Sequence, residues 1–440
     1  MLDTASHDVS PSPPSEPLGM SRDHRPFHGW WVAAAAFAAT FGSVAFFNPI
    51  LGVFAQPLQQ AFGWSRSEIA LGLSLGGMGG AAIAPFAGAA IDRWGGRWVI
   101  AIAASGMAIC ALLLSRMETL WQFLVFYTIA RALSVGAMSP AGFISVANWF
   151  ERRRSFVAGV VAVGPRLGMA TFPLLITMVI GAAGDWRNGW IALALIAVTS
   201  GIPALIFIRR RPEDMGLLPD GDTSSDRTAR AANSAVVIDF SLREAVHTRA
   251  YWLIGFSLGF LSFAAGAINF HQIPHLVDRG LSPITAALVV TVFSSTGALG
   301  GIVGGAVASR WTIRWTMVPC LLAMAGGILL LAGAHDVESA MAYAVCYGFF
   351  FGVVVSLMQV VYADYFGRQQ LGVITGSFQP VQLAMNAAGP LIAGIWYDRT
   401  GSYTGSFFLF SLLFLLAALA LVFAPYPPRP ETLAVRDQVA

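Results

Sequence analysis

Lysine is absent from this chain of 440 residues, so every permanent positive charge on a side chain is an arginine, 26 in all. Charged residues of both signs amount to only 11% of the sequence, against roughly 25% in an ordinary soluble domain. A water-soluble globule of this length could not cover itself with so few. Cysteine is scarce too: Cys110, Cys320 and Cys346 stand alone inside apolar runs, with no CxxC pair. A disulfide or metal framework is therefore unsupported, and the three read as small apolar packing residues. No GxxxxGK[ST] occurs, which removes the phosphate loop of a nucleotide-driven pump. Residues 1–25, with Pro11-Ser-Pro-Pro-Ser15, lack the apolar stretch of a cleavable signal and read as a disordered cytoplasmic tail.

What is abundant is apolar sequence, 56% of the chain, gathered into long blocks. A membrane-spanning helix needs about 20 such residues. Twelve runs qualify, at roughly 29–54, 67–91, 98–115, 119–147, 155–180, 188–208, 250–275, 283–308, 316–333, 338–363, 371–395 and 404–424. With the N-terminus inside, 19 arginines fall in inside segments, 5 in outside loops and 2 within runs. The positive-inside rule then sets both termini in the cytoplasm and the chain in the cytoplasmic membrane as a multi-pass protein.

The runs fall into two related halves. Gly88-Ala-Ala-Ile-Asp92-Arg93-Trp-Gly95-Gly96-Arg97 joins runs 2 and 3, and Gly305-Ala-Val-Ala-Ser309-Arg310-Trp-Thr-Ile-Arg314 joins runs 8 and 9. At an offset of about 216, Asn148-Trp-Phe-Glu-Arg152 also matches Asp364-Tyr-Phe-Gly-Arg368, Gly136 falls on Gly352, and Arg131 falls on Tyr347. Such repeats place a substrate site where the halves meet near the bilayer midplane, so a transporter is the leading reading. The expected organisation is a tail (1–27), a six-helix bundle (28–208), a cytoplasmic linker (209–249), a second six-helix bundle (250–424) and a tail (425–440). The linker holds Arg209-Arg-Arg211 and a candidate surface helix near Ser241–His247, and its arginines would keep it near the anionic inner leaflet.

Gly88, Asp92, Arg93, Gly95 and Arg97 resemble the loop signature of the major facilitator superfamily, and the resemblance extends over roughly residues 29–424. His28-Gly-Trp-Trp31, Asn148-Trp-Phe-Glu-Arg-Arg-Arg154 with Ala158-Gly159, and Pro274-His-Leu-Val-Asp278-Arg-Gly280 are similar to its monocarboxylate transporter and oxalate/formate exchanger branch. The resemblance implies an all-α integral membrane fold of twelve transmembrane helices in two pseudo-symmetric six-helix bundles. These would rock about a central cavity, with Asp92, Arg93 and Arg97 latching the cytoplasmic ends in the outward-open state. Arg310 and Arg314 stand at the matching second-half positions. One departure matters: the branch carries an acidic/arginine pair in span 8 and a lysine in span 1. Here run 8 offers Ser294-Ser295-Thr296 and no lysine exists.

Two charges lie deep in the runs, Arg131 and Arg166, each about 12 residues in. An ionised group at that depth costs several kcal/mol and faces a cavity or a partner. No acidic residue lies at matching depth, so the simplest completion is a substrate anion held by guanidinium forks, which suit a carboxylate. Arg131 has the competing role of bonding backbone carbonyls or coupling helices. Arg166 follows Gly164-Pro165, where freed carbonyls are the alternative. Asn269, Ser294, Ser295, Tyr347, Gln379, Gln382 and Asn386 are uncharged polar candidates for the cavity wall, each also fit for a helix–helix hydrogen bond. His271 and His275, with Asp278, stand at i, i+4 and i+7, interrupted by Pro274. They suit a gating pair or a proton site more than a metal. The glycines at 72–80 and 297–305 read as close-packing faces.

The sequence thus points to a secondary active transporter of a small organic anion, a mono- or dicarboxylate, working by proton symport or anion exchange. The alternatives are an exporter of drugs or other amphiphiles with the same fold and, further off, a membrane sensor or enzyme. For an enzyme no nucleophile or metal set gathers at one depth. No cofactor, metal or nucleic-acid partner is expected. The bilayer and the substrate are the expected partners, and the chain is expected to act as a monomer.

Overall fold

The computed structural model describes residues 27–218, 220, 240–308, 310–358, 360–367 and 370–427. The disorder expected of the first tail, the C-terminal tail beyond 427, most of the linker, and Ser309 and Arg368 of the repeated loops lie outside the described residues. Twelve long helical segments follow in order. The first half has α1 (Gly29–Phe62), α2 (Arg66–Trp94), α3 (Gly96–Leu114), α4 (Leu120–Trp149), α5 (Arg154–Ala183) and α6 (Arg187–Phe207). The second has α7 (Arg249–Asp278), α8 (Pro283–Ala308), α9 (Ile313–Gly333), α10 (Val337–Leu357), α11 (Leu371–Thr400) and α12 (Thr404–Val422).

Eleven described helices are long and apolar enough to cross a membrane. The exception is α11, whose 30 residues include Gln379, Gln382, Asn386 and two internal prolines. A helix that spans without full apolar character must turn its polar face to protein or water rather than lipid, and this one does.

Two helices break where the site forms. α1 stops at Ser43, passes through a 3₁₀ turn at Val44–Phe46 and an extended Phe47, and restarts at Asn48 with Pro49 in its first turn. α4 carries a five-residue π turn at Ser134–Met138, a local widening frequent at functional sites.

The internal repeat is visible in packing. A Cβ on Gly136 of α4 would strike the Gly80 carbonyl of α2, and one on Gly352 of α10 would strike the Gly297 carbonyl of α8. The two glycine-rich faces are equivalent contacts, in register with the sequence offset. Across the halves, α2 lies on α11, α5 on α8 and α1 on α7. The linker is held at both described ends. Trp149 Nε1 donates to the Arg209 carbonyl at 3.1 Å, and Phe240 N to the Phe366 carbonyl at 2.9 Å. A short helix, Leu242–Val246, forms behind a Ser241/Glu244 capping box.

A candidate substrate cavity closed at one face

The two faces of the bundle, the linker face and the distal face opposite it, differ. At the distal face the halves are bound together. Arg66, at the start of α2 and only 1% exposed, donates from Nη2 to Asp278 Oδ1 of α7 at 3.0 Å. Asp398 of α11 accepts the backbone N–H groups of Arg66 and Ser67 on its two oxygens, both at 2.9 Å. A carboxylate from one half thus caps a helix N-terminus of the other, where the dipole favours it. The chain comes this close because residue 394 is glycine: a Cβ there would lie 2.8 Å from Ser67 Cα. Deeper in, Ser74 Oγ donates to the Ala387 carbonyl at 2.5 Å, and Thr291 Oγ1 to the Ala170 carbonyl at 2.6 Å. Neither Arg66 nor Asp398 was singled out by sequence, because charges at run ends look like ordinary loop charges.

The linker face is open. Asp92 and Arg93 are exposed, and Arg93 rests over the Trp94 ring. Arg97 lies over Trp98. Asp92 makes no ion pair among the described residues. Gly88 has open space where a Cβ would go, and Gly95, at φ +83°, lets Arg210 of the linker approach. Arg310 is exposed. Arg314 donates to the Ala424 and Val422 carbonyls, capping the end of α12, whose last carbonyls have no helical partner.

On the linker side of the seal lies a cavity of about 470 Å³ lined by α2, α4, α7 and α11. Its size suits a small molecule. Gln379, Gln382 and Asn386 line it, as the sequence suggested, with Val135 and Pro140 of α4 and Ser262 of α7. A small recess shares Gln379 and Gln382 and adds Thr375, Met358 and Tyr362. The Tyr362 hydroxyl is buried there without a partner among the described residues, a residue that sequence reasoning passed over because tyrosine at a run end is ordinary.

The remaining candidates lie elsewhere. Arg131, 6% exposed, does not line the cavity; Nη1 donates to the Phe46 carbonyl and Nη2 to Asn48 Oδ1, both at 2.7 Å. Of the two roles the sequence leaves open, these contacts support the bonding of backbone carbonyls: the break in α1 frees one, and Arg131 satisfies it. Tyr347 is buried in a stack with Phe293 and Phe351, its hydroxyl unpartnered. Ser294 is buried, Ser295 exposed and Asn269 half-buried, and none lines the cavity. Arg166 is half-buried on the α5–α8 seam, with Nη1 3.3 Å from the Gly297 carbonyl of the other half. Its guanidinium overlies Gly301, and it has no acidic partner among the described residues. It sits 12 residues into α5 and Gln382 sits 11 into α11, so by helix rise both lie roughly 17 Å from the linker-side ends.

His271 and His275 are buried ties away from the cavity. His271 contacts the Pro390 carbonyl through Nε2 at 2.8 Å and the Tyr403 hydroxyl through Nδ1 at 3.0 Å. His275 Nε2 contacts the Leu331 carbonyl at 2.9 Å. A ring N–H must donate to each carbonyl, and the other His271 nitrogen accepts from Tyr403, an arrangement complete for a neutral imidazole. With Asp278 turned to Arg66, the three face different partners.

The chain belongs to the Major Facilitator Superfamily, whose model matches residues 31–381 and 253–439. It is therefore a multi-pass membrane transporter of a small-molecule substrate rather than an enzyme. It is 22% identical to MFS-type transporter 1 of Ophiocordyceps sp. over 90% of this chain and 85% of that protein. It is also 22% identical to human monocarboxylate transporter 2, over 85% and 79%. A shorter match, 27% identical over 42% of this chain and 39% of the relative, joins it to the fujikurins efflux protein of Gibberella fujikuroi. Among solved structures, a bacterial homologue of the human lysosomal transporter Spinster, inward-facing and occupied, superposes with a TM-score of 0.66. It covers 91% of this chain at 14% identity, which speaks for the fold alone.

Proposed function

We propose that this transporter is a gradient-driven carrier of a small organic anion bearing hydrogen-bonding groups, a mono- or dicarboxylate. The observation that carries this reading is Arg166: a mid-depth guanidinium with one long protein hydrogen bond and, among the described residues, no carboxylate to neutralise it. A charge so placed is stabilised best by a ligand of opposite sign. Gln379, Gln382 and Asn386 line the cavity from α11, Gln382 at the depth of Arg166, and with Thr375 and Tyr362 nearer the linker-side end they would read the uncharged part of the molecule. The monocarboxylate transporters among the relatives support the substrate class. The arginine asymmetry supports a cytoplasmic linker face and an inward-open state, with Asp92, Arg93 and Arg97 of the loop latch disengaged. Because His271 has both ring nitrogens engaged as a neutral imidazole and His275 is tied to the Leu331 carbonyl, away from the cavity, coupling runs through anion exchange or a proton carried on the substrate. The reading takes one chain to suffice, since cavity and seal are built within it.

A second reading, export of neutral amphiphiles, is favoured by the apolar walls of the cavity and by the efflux protein among the relatives. Thermal-shift measurements on purified protein against carboxylates, neutral amphiphiles and sugars separate the two, because a ligand of the folded state raises its apparent stability. Carboxylate stabilisation that disappears in Arg166→Gln supports the anion carrier. Stabilisation by neutral amphiphiles alone, unchanged in Arg166→Gln, favours the exporter and overturns the anion reading.

A further inference from the structure

The α1 break exposes the Phe46 carbonyl to two donors, the Tyr127 hydroxyl at 2.8 Å and Arg131 Nη1 at 2.7 Å. The other arm of Arg131 holds Asn48 Oδ1. This fixes which way the Asn48 amide points: with its oxygen engaged, Nδ2 faces α7, where it donates to the Gly266 carbonyl at 2.8 Å. Asn48 is 7% exposed and belongs to the first half; Gly266 belongs to the second. The bond therefore crosses between the bundles, on the cavity side of the Arg66 seal.

Both ends of this chain of contacts reach the cavity wall. Three residues beyond Arg131 begins the π turn whose Val135 lines the cavity. At the other end Gly266 is pressed against Asn386, whose carbonyl and amide leave no room for a Cβ on residue 266. Asn386 itself lines the cavity and donates to the Ser262 carbonyl at 3.0 Å.

We infer that Arg131 is a positioning residue for the alternation of states: it orients the Asn48 amide so that Asn48 ties α1 to the Gly266 carbonyl of α7. The tie holds the distal face closed, and it breaks when the halves rock apart there. Its position between two cavity walls makes it the contact through which an occupied cavity biases the halves. This role is independent of what the substrate is.

The test uses the full chain with spin labels on non-natural residues at Glu118 and Glu338, exposed distal positions on opposite halves. The distance between them reports distal opening. Asn48→Ala should raise the ratio of open to closed distances about three- to tenfold, the worth of one interior hydrogen bond. Asn48→Asp is the sharper variant. It keeps and strengthens the bond to Arg131 but has no donor for Gly266, so it should open the distal face as Asn48→Ala does while melting no lower than wild type. Arg131→Lys should also open it, and Arg131→Lys combined with Asn48→Ala should go no further than Asn48→Ala alone. A wild-type distance distribution in Asn48→Asp, or additive opening in the double variant, overturns the inference.

Discussion

Arg131 and Arg166 enter the core of the bundle on adjacent helices of one half at nearly the same number of residues from their helix starts, yet their surroundings are opposite. Arg131 is enclosed, with the Phe46 carbonyl and the Asn48 amide in front of it and the Phe47 ring 5.7 Å from Cζ. Arg166 lies on a seam, bonded once and at length. Depth alone does not assign a buried charge its work. What decides is whether the chain nearby leaves backbone acceptors unpaired. The α1 break does so beside Arg131. Pro165 beside Arg166 frees the Val161 carbonyl, but Thr40 Oγ1 donates to it at 3.2 Å, and Arg166 reaches instead to a carbonyl of the other half.

The largest effect should separate these two sites. Arg131→Gln removes two charge-assisted bonds and leaves Asn48 Oδ1 without its donor. We expect a loss of about 2 kcal/mol in stability, since bonds from charged groups are worth more than neutral ones, although relief of the buried charge offsets part of it. Arg166→Gln should change stability by less than about 0.5 kcal/mol, as for a substitution that breaks no saturated network. Thermal melts of the two purified variants measure the difference. Equal losses would erase the contrast between them.

Binding should reverse that order. Arg166→Gln should weaken carboxylate binding by about tenfold or more, and Arg166→Lys should already weaken it, because an ammonium lacks the planar fork. Titration calorimetry on folded protein gives the comparison directly. Wild-type affinity in Arg166→Gln would move Arg166 to the structural class occupied by Arg131.

The same distinction, saturated against open, applies to the carboxylates of the two faces. Asp398 is fully used as a cap across the halves, whereas Asp92 is exposed and makes no ion pair among the described residues in this state. Asp398→Asn should therefore shift the population toward distal opening several-fold, as loss of a charge-assisted cap of about 1 kcal/mol implies. Asp92→Asn should leave the distal-closed state as it is and act only on the opposite state. Distal cysteine accessibility to an impermeant reagent tests both. An equal response from the two would show that the seal is not carried by the Asp398 cap.

Sequence carried the twelve spans, the two halves and the polar wall at Gln379, Gln382 and Asn386, because polar residues inside an otherwise apolar run have few places to face. It did not reveal the Arg66–Asp278–Asp398 seal. Those residues are more than 200 positions apart between halves, and nothing local marks their meeting. The true partner of Arg131 was visible in principle. Asn48-Pro49 in the middle of an apolar run signals an interrupted helix, and an interrupted helix offers carbonyls to a buried donor. Tyr347 occupies the repeat position of Arg131, but α7 has no break corresponding to the one in α1, and the side chain packs in a stack with Phe293 and Phe351.

The smallest effect lies at the membrane surface, in the linker. Asp220 accepts the backbone N–H groups of Glu151 at 2.9 Å, Arg152 at 2.5 Å and Arg153 at 3.2 Å, just ahead of α5. Burial pushes its carboxyl pKa up, but these three donors and the Arg152 charge outweigh that and hold it below the ordinary carboxylate value. A depressed folded pKa gives stabilisation that is full above the unfolded value of about 3.9 and fades as pH falls through the folded one. The attachment should thus be intact at neutral pH and indifferent to changes between pH 5 and 8. Asp220→Asn should release it at any pH, speeding amide exchange at Glu151, Arg152 and Arg153 while leaving the melting temperature nearly unchanged. Its saturation is like that of Arg131, but water can replace its three bonds, so the cost stays local. Unaltered exchange at those amides in Asp220→Asn would place Asp220 with the open groups and leave the Trp149 bond to the Arg209 carbonyl as the linker's hold on the first half.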